Sequence, residues 1–217
     1  PLFLLVLLSV QCAGEAPEPA GKPKVAATIF PVYDIIGKIA GDNIETVLIL
    51  PKGSSPHTFE LTPQYVQRLQ GTGIIFKVGH GLDDWTRNIA AVLNGEREII
   101  VDEGVNLIYS DEEGHGEEDG HDHGAANPHY WLSIANARAI AKNIADSLIE
   151  LDSQNEETYR ANLDDYLKKL EELKTEMEQK LEPYEGKGLV TFHDSFAYFA
   201  RDFDLRIAGT IEPFPGR

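Results

Sequence analysis

Residues 24–50 read KVAATIFPVYDIIGKIAGDNIETVLIL, and the fold is decided there. Residues 25–30 are a short apolar run, residues 32–40 place their apolar side chains at helical spacing behind Pro31, and residues 45–50 are apolar and β-branched again. Strand, amphipathic helix, strand is a βαβ unit, and such units build a mostly parallel sheet covered by helices. The same alternation continues outward. It predicts strands over 73–78 and 98–101 and helices over 63–69, with Pro63 in the first turn, and over 82–93. The expected class is therefore α/β, with a first lobe over residues 24–152.

Further along, residues 111–123 read DEEGHGEEDGHDH, seven carboxylates, three His and three Gly with nothing apolar to bury, so 111–126 is expected to be an acidic, His-rich loop. A helix is predicted over 134–151. The most regular stretch follows. Between 154 and 182 the apolar residues Tyr159, Leu163, Tyr166, Leu170, Leu173, Met177 and Leu181 recur every three or four positions, and Pro183 marks the stop. Such a helix is about 43 Å long, and over 153–183 it is expected to be a rigid strut between lobes; a coiled-coil dimer is the competing reading of the same spacing. The strut reading makes the protein a monomer. The βαβ pattern then restarts with a strand at 188–192, a helix at 195–203 and a strand at 205–210, so residues 184–217 are expected to begin a second α/β lobe. The chain stops soon after an apolar stretch at Phe214 to Arg217, which suggests a truncated second lobe.

At the other end, residues 1–10 read PLFLLVLLSV, the length of a signal-peptide core and too short to span a membrane. No Met and no basic residue precedes it. Cys12 and the Pro-rich stretch up to Pro23 look like the lipidation site and tether of a lipoprotein, although Ser9, Val10 and Gln11 depart from the usual lipobox. Residues 1–23 are thus a signal remnant and tether, which places the protein outside the cytoplasm, periplasmic or anchored to the outer face of the membrane through Cys12. The alternative is a soluble secreted protein that loses Cys12 with the signal.

Composition excludes other classes. With 19 Lys+Arg against 36 Asp+Glu the net charge is −17, and no basic stripe offers a footprint for nucleic acid. One Cys rules out an intrachain disulfide framework and Cys-rich structural zinc sites.

Seven His remain to be placed. His115, His121 and His123 fall in the acidic loop. His57, His129 and His193 each fall at the edge of an ordered element; His57 and His193 follow strands, and α/β proteins gather ligands beyond the carboxyl ends of their strands, so two of the three already point to one cleft. Three converging imidazoles suit zinc and disfavour magnesium or calcium. No spacing in the sequence enforces that convergence, and each His alone is equally able to cap a loop.

Three blocks carry a resemblance. LPKGSSPHTFE at 50–60, NPHYWL at 127–132 and TFHDSFAYF at 191–199 resemble the motifs of the metal-binding solute receptors of zinc and manganese ABC importers, in the same order and with an acidic His loop between the first two. The resemblance runs from about residue 24 to the end. It implies two α/β lobes joined by a long helix, and metal ligands at His57, His129 and His193. Manganese receptors of this type generally have Glu at the third position and zinc receptors His, so the implied cargo is Zn2+, with Mn2+ as the alternative. A fourth ligand, a late carboxylate or water, falls beyond Arg217. The acidic loop would collect a second zinc weakly. His80, Glu60 and Asp194 are candidates for the rim of the cleft or for orienting a ligand. The implied partners are a membrane permease and its ATPase, with no nucleic acid. Binding is expected to weaken as pH falls through roughly 6.5, the ordinary imidazole value, and the long helix should keep closure modest. An adhesin or a zinc-dependent hydrolase or lyase is the remaining alternative, and no HExxH, GxSxG, P-loop or dinucleotide pattern supports an enzyme.

Overall fold

A computed structural model describes residues 21–87, 89, 97–109 and 126–212. Cys12, the acidic loop with His115, His121 and His123, residues 88 and 90–93 of the expected 82–93 helix, and Phe214 to Arg217 lie outside the described residues.

Four strands, β1 (Lys24–Ala27), β2 (Glu45–Leu48), β3 (Ile74–Lys77) and β4 (Arg97–Ile100), form one sheet in the order β2-β1-β3-β4, all neighbours parallel. Both faces are covered, as the apolar strands require. Val25, Ala27, Ile74 and Phe76 join one buried cluster, whereas Ala26 and Ile75, one residue out of phase, join another with Ile49, Leu69 and Ile89. The first strand is shorter than expected. Phe30 opens helix α1 (Phe30–Ala40) because Pro31 sits in its first turn, and Gly41 at φ 56° ends it. The face Val32, Ile35, Ile36 and Ile39 is buried on the sheet.

Helix α2 (Pro63–Arg68) lies between β2 and β3. Where a helix was expected over 82–93, its first turn is replaced by a 3-10 turn at Asp84–Thr86, and Ile89 is helical. Helix α3 (Ile134–Leu151) begins where Ser133 accepts a hydrogen bond from the Asn136 amide and buries Ile140, Ile144 and Leu148 among small Ala residues.

The long helix α4 (Glu156–Leu181) is present, with 26 residues, or about 39 Å. It is not a free strut along its whole length. Tyr159 and Leu170 are buried, Leu163, Tyr166 and Leu167 pack against the first core, and Asn162 Nδ2 donates to the Ile39 carbonyl at 2.8 Å. The first half of the helix therefore spends its apolar stripe on α1 and α3. Only after Leu170 does the stripe emerge, with Leu173 44% exposed.

A second parallel sheet pairs β5 (Gly188–His193) with β6 (Arg206–Glu212) through helix α5 (Ala197–Asp202). The helix starts two residues later than expected because Asp194 and Ser195 turn, with Ser195 N–H donating to the His193 carbonyl at 2.8 Å. Tyr198 carries α5 into the first core: it is fully buried, accepts from Ile108 N–H at 3.0 Å and donates to the Asn127 carbonyl at 2.6 Å. Asp202 accepts from Ile134 N–H at 3.0 Å, and Arg201 donates to the Asn106 carbonyl at 2.9 Å.

Candidate metal centre

His57 lies on the loop after β2. Gly53 at φ 83° and a Ser54-to-Pro51 backbone bond turn the chain, the His57 amide donates to Ser55 Oγ at 3.3 Å, and Trp85 Nε1 donates to the Pro56 carbonyl at 3.1 Å. These contacts hold an exposed loop in one place. His129 begins the turn Tyr130–Leu132 and is only 6% exposed. Its neighbour Tyr130 fastens the turn to the end of β3 by donating to the Val78 carbonyl at 2.9 Å. His193 is the last residue of β5, at the carboxyl end of a parallel strand.

The three rings meet. His57 Nε2 is 3.2 Å from His129 Nε2, and His193 Nε2 is 3.0 Å from the same atom. The ring centroids lie 4.8 to 5.3 Å apart. Nitrogens bound to one tetrahedral zinc at about 2.0 to 2.1 Å stand about 3.3 to 3.4 Å apart, close to the two separations from His129, and donor atoms of all three rings lie within 4.8 Å of one another. Among the described residues, these three are the group whose donor atoms can hold a metal.

The electrostatics favour neutral rings. Desolvation first, then repulsion from His193 and His57, lowers the His129 pKa to about 3. His57 is lowered too, by desolvation and then by His193. Both rings therefore keep their lone pairs below the ordinary imidazole range, and proton competition at these two positions begins lower than pH 6.5. His193 Nδ1 is buried without a hydrogen-bond partner.

The other candidates sit apart from this cluster. His80 Nε2 pairs with Asp102 Oδ2 at 2.9 Å, and its ring stands edge-on to Tyr130. It adopts φ 52° between Gly79 and Gly81, in a loop that the buried Asp83 carboxylate gathers by accepting from Val78 N–H, Gly79 N–H and Thr28 Oγ1. Glu60 is exposed and lines an apolar surface groove with Phe59, Val66 and Trp85. Asp194 enters through its backbone carbonyl, which accepts from Asn127 Nδ2 at 3.4 Å. Asn127 itself carried no role in the sequence reading. Its Oδ1 accepts from both the amide and Nδ1 of His129, at 3.0 and 2.9 Å. Its place at the head of the NPHYWL block is the signal that could have drawn attention to it.

Parallel sheets, a long helix and three imidazoles brought together from a loop, a turn and a strand end define the substrate-binding proteins that hand metal ions to ABC importers. The chain belongs to the ZnuA family, described as zinc-uptake complex component A, periplasmic, whose profile matches residues 25–215. It is 37% identical over 215 residues to the manganese ABC transporter substrate-binding lipoprotein PsaA of Streptococcus anginosus, covering 94% of this chain and 67% of that protein. It is 35% identical over 214 residues to the iron ABC transporter substrate-binding lipoprotein MtsA of Streptococcus pyogenes serotype M1, with the same coverage of each. The crystal structure of ZnuA superposes with a TM-score of 0.76 at 30% identity, over 86% of this chain and 69% of that one. The family consists of extracytoplasmic metal-binding receptors, not enzymes, which sets aside the hydrolase or lyase alternative. No described helix is long and apolar enough to cross a membrane.

Proposed function

We propose that this chain captures Zn2+ with His57, His129 and His193 and delivers it to the permease of an ABC importer whose ATPase lies on the cytoplasmic side. Residues 24–152 would supply the first two ligands, 153–183 the linking helix, and 184–217 the third ligand on the opening strand of a second lobe. The observation that carries this reading is that donor atoms of the three rings lie within 4.8 Å of one another. An all-imidazole set suits zinc, whereas manganese prefers carboxylates. The lipoprotein names of PsaA and MtsA support Cys12 as a lipid anchor.

Manganese or iron is the second reading, and the names of those two relatives favour it. Equilibrium affinity alone does not decide between them, because most nitrogen and oxygen sites bind zinc more tightly than manganese. Uptake decides. Deleting the gene should lower cellular zinc under zinc limitation and leave manganese unchanged, with restoration by the wild-type gene but not by His193→Ala. Loss of manganese with zinc unchanged would replace zinc by manganese as the cargo.

A further inference from the structure

We infer that Asn127 is a positioning residue for metal capture: its side-chain oxygen holds His129 in the tautomer that leaves Nε2 bare. The inference rests on His129 being a ligand.

The orientation of the Asn127 amide follows from partners whose roles are fixed. The His129 backbone N–H can only donate, and it points at Oδ1 from 3.0 Å. The Asp194 backbone carbonyl can only accept, and Nδ2 faces it at 3.4 Å. Reversing the amide would set donor against donor and acceptor against acceptor. With Oδ1 so placed, the remaining contact, at 2.9 Å from His129 Nδ1, requires that Nδ1 carry the proton. A neutral imidazole has one N–H, so Nε2 is left as a lone pair, and Nε2 is the atom that faces His57 and His193. A second hydrogen bond on the far nitrogen is the usual means of fixing the tautomer and direction of a metal-binding imidazole. The backbone of Asn127 is held independently, by its amide to the Ile108 carbonyl at 2.8 Å and its carbonyl to Tyr198 Oη at 2.6 Å. The side chain is therefore free to serve the ring.

The test is nitrogen NMR of the imidazole rings in metal-free protein, together with zinc titration, on the wild type, Asn127→Ala and Asn127→Asp. In the wild type His129 should show protonated Nδ1 and bare Nε2. Asn127→Ala should move proton density onto Nε2 and weaken zinc binding by about 10- to 100-fold. Asn127→Asp, which keeps an acceptor at the same place, should restore the tautomer and most of the affinity; a purely structural role would not be rescued in the ring spectrum. A protonated Nε2 on His129 in the wild type, or an unchanged tautomer in Asn127→Ala, would overturn the inference. Failure of the ligand reading looks different: the wild type would show the expected tautomer and bind no zinc.

Discussion

His129 Nε2 and His193 Nε2 lie 3.0 Å apart although 64 residues separate them in sequence, one on the turn that leads into α3 and the other at the end of β5. The site exists because α5 is docked on the first core, and its properties should follow that docking.

Removing one of the three rings should cost far more than removing a neighbouring His. His193→Ala is expected to weaken zinc binding by about 100-fold or more, about 2.7 kcal/mol. His80→Ala should stay within about threefold, since His80 is engaged with Asp102. Calorimetry on metal-stripped protein checks the pair, and an equal loss in both variants would enlarge the ligand set to include His80.

Burial of His129 makes the metal-free protein sensitive to mild acid. Its folded pKa of about 3 lies below the unfolded value of 6.5, so between those values the unfolded chain takes up a proton that the folded ring refuses. Stability from this group is full above pH 6.5 and is lost as pH falls, by up to about 1.4 kcal/mol per unit. Urea unfolding between pH 7 and pH 5.5 should show a steeper decline in the wild type than in His129→Gln. Parallel curves would contradict the sign.

Tyr198→Phe removes one hydroxyl that serves two backbone groups, Ile108 N–H and the Asn127 carbonyl. Two polar groups lose a partner in a buried place, at a cost of about 1 to 3 kcal/mol. A shift of the urea midpoint measures it. A neutral outcome would mean that water replaces the hydroxyl.

The long helix should be energetically asymmetric. Leu170→Ala truncates a buried side chain and is expected to cost about 2 to 3 kcal/mol, whereas the 44% exposed Leu173 should cost under about 0.5 kcal/mol on truncation to Ala. Comparable losses, accompanied by a change in oligomeric state, would favour the coiled-coil reading of the same heptad-like spacing.

Much was legible in the residues themselves. Strand and helix types came from periodicity, a local property that burial on one side of an element imposes on its own sequence; α3 runs over Ile134–Leu151, the span its apolar pattern predicts. Boundaries were read less well where a turn competes, as at Phe30 beside Pro31 and at Ser195 after His193. The apolar stripe of α4 was visible, but not which surface would cover each part of it, because a stripe records that burial occurs and not against what.

The sequence by itself determined the parallel α/β class and, through three motifs, nominated His57, His129 and His193 from among seven. Only the tertiary structure decided that these rings converge while His80 turns to Asp102, and that Asn127 faces His129. Those facts depend on strand order and on how α5 seats Tyr198 in the first core. The ring contacts join residues 64 and 72 positions apart and the Tyr198 contact residues 90 apart, and no local spacing encodes a distance that only the packed chain sets.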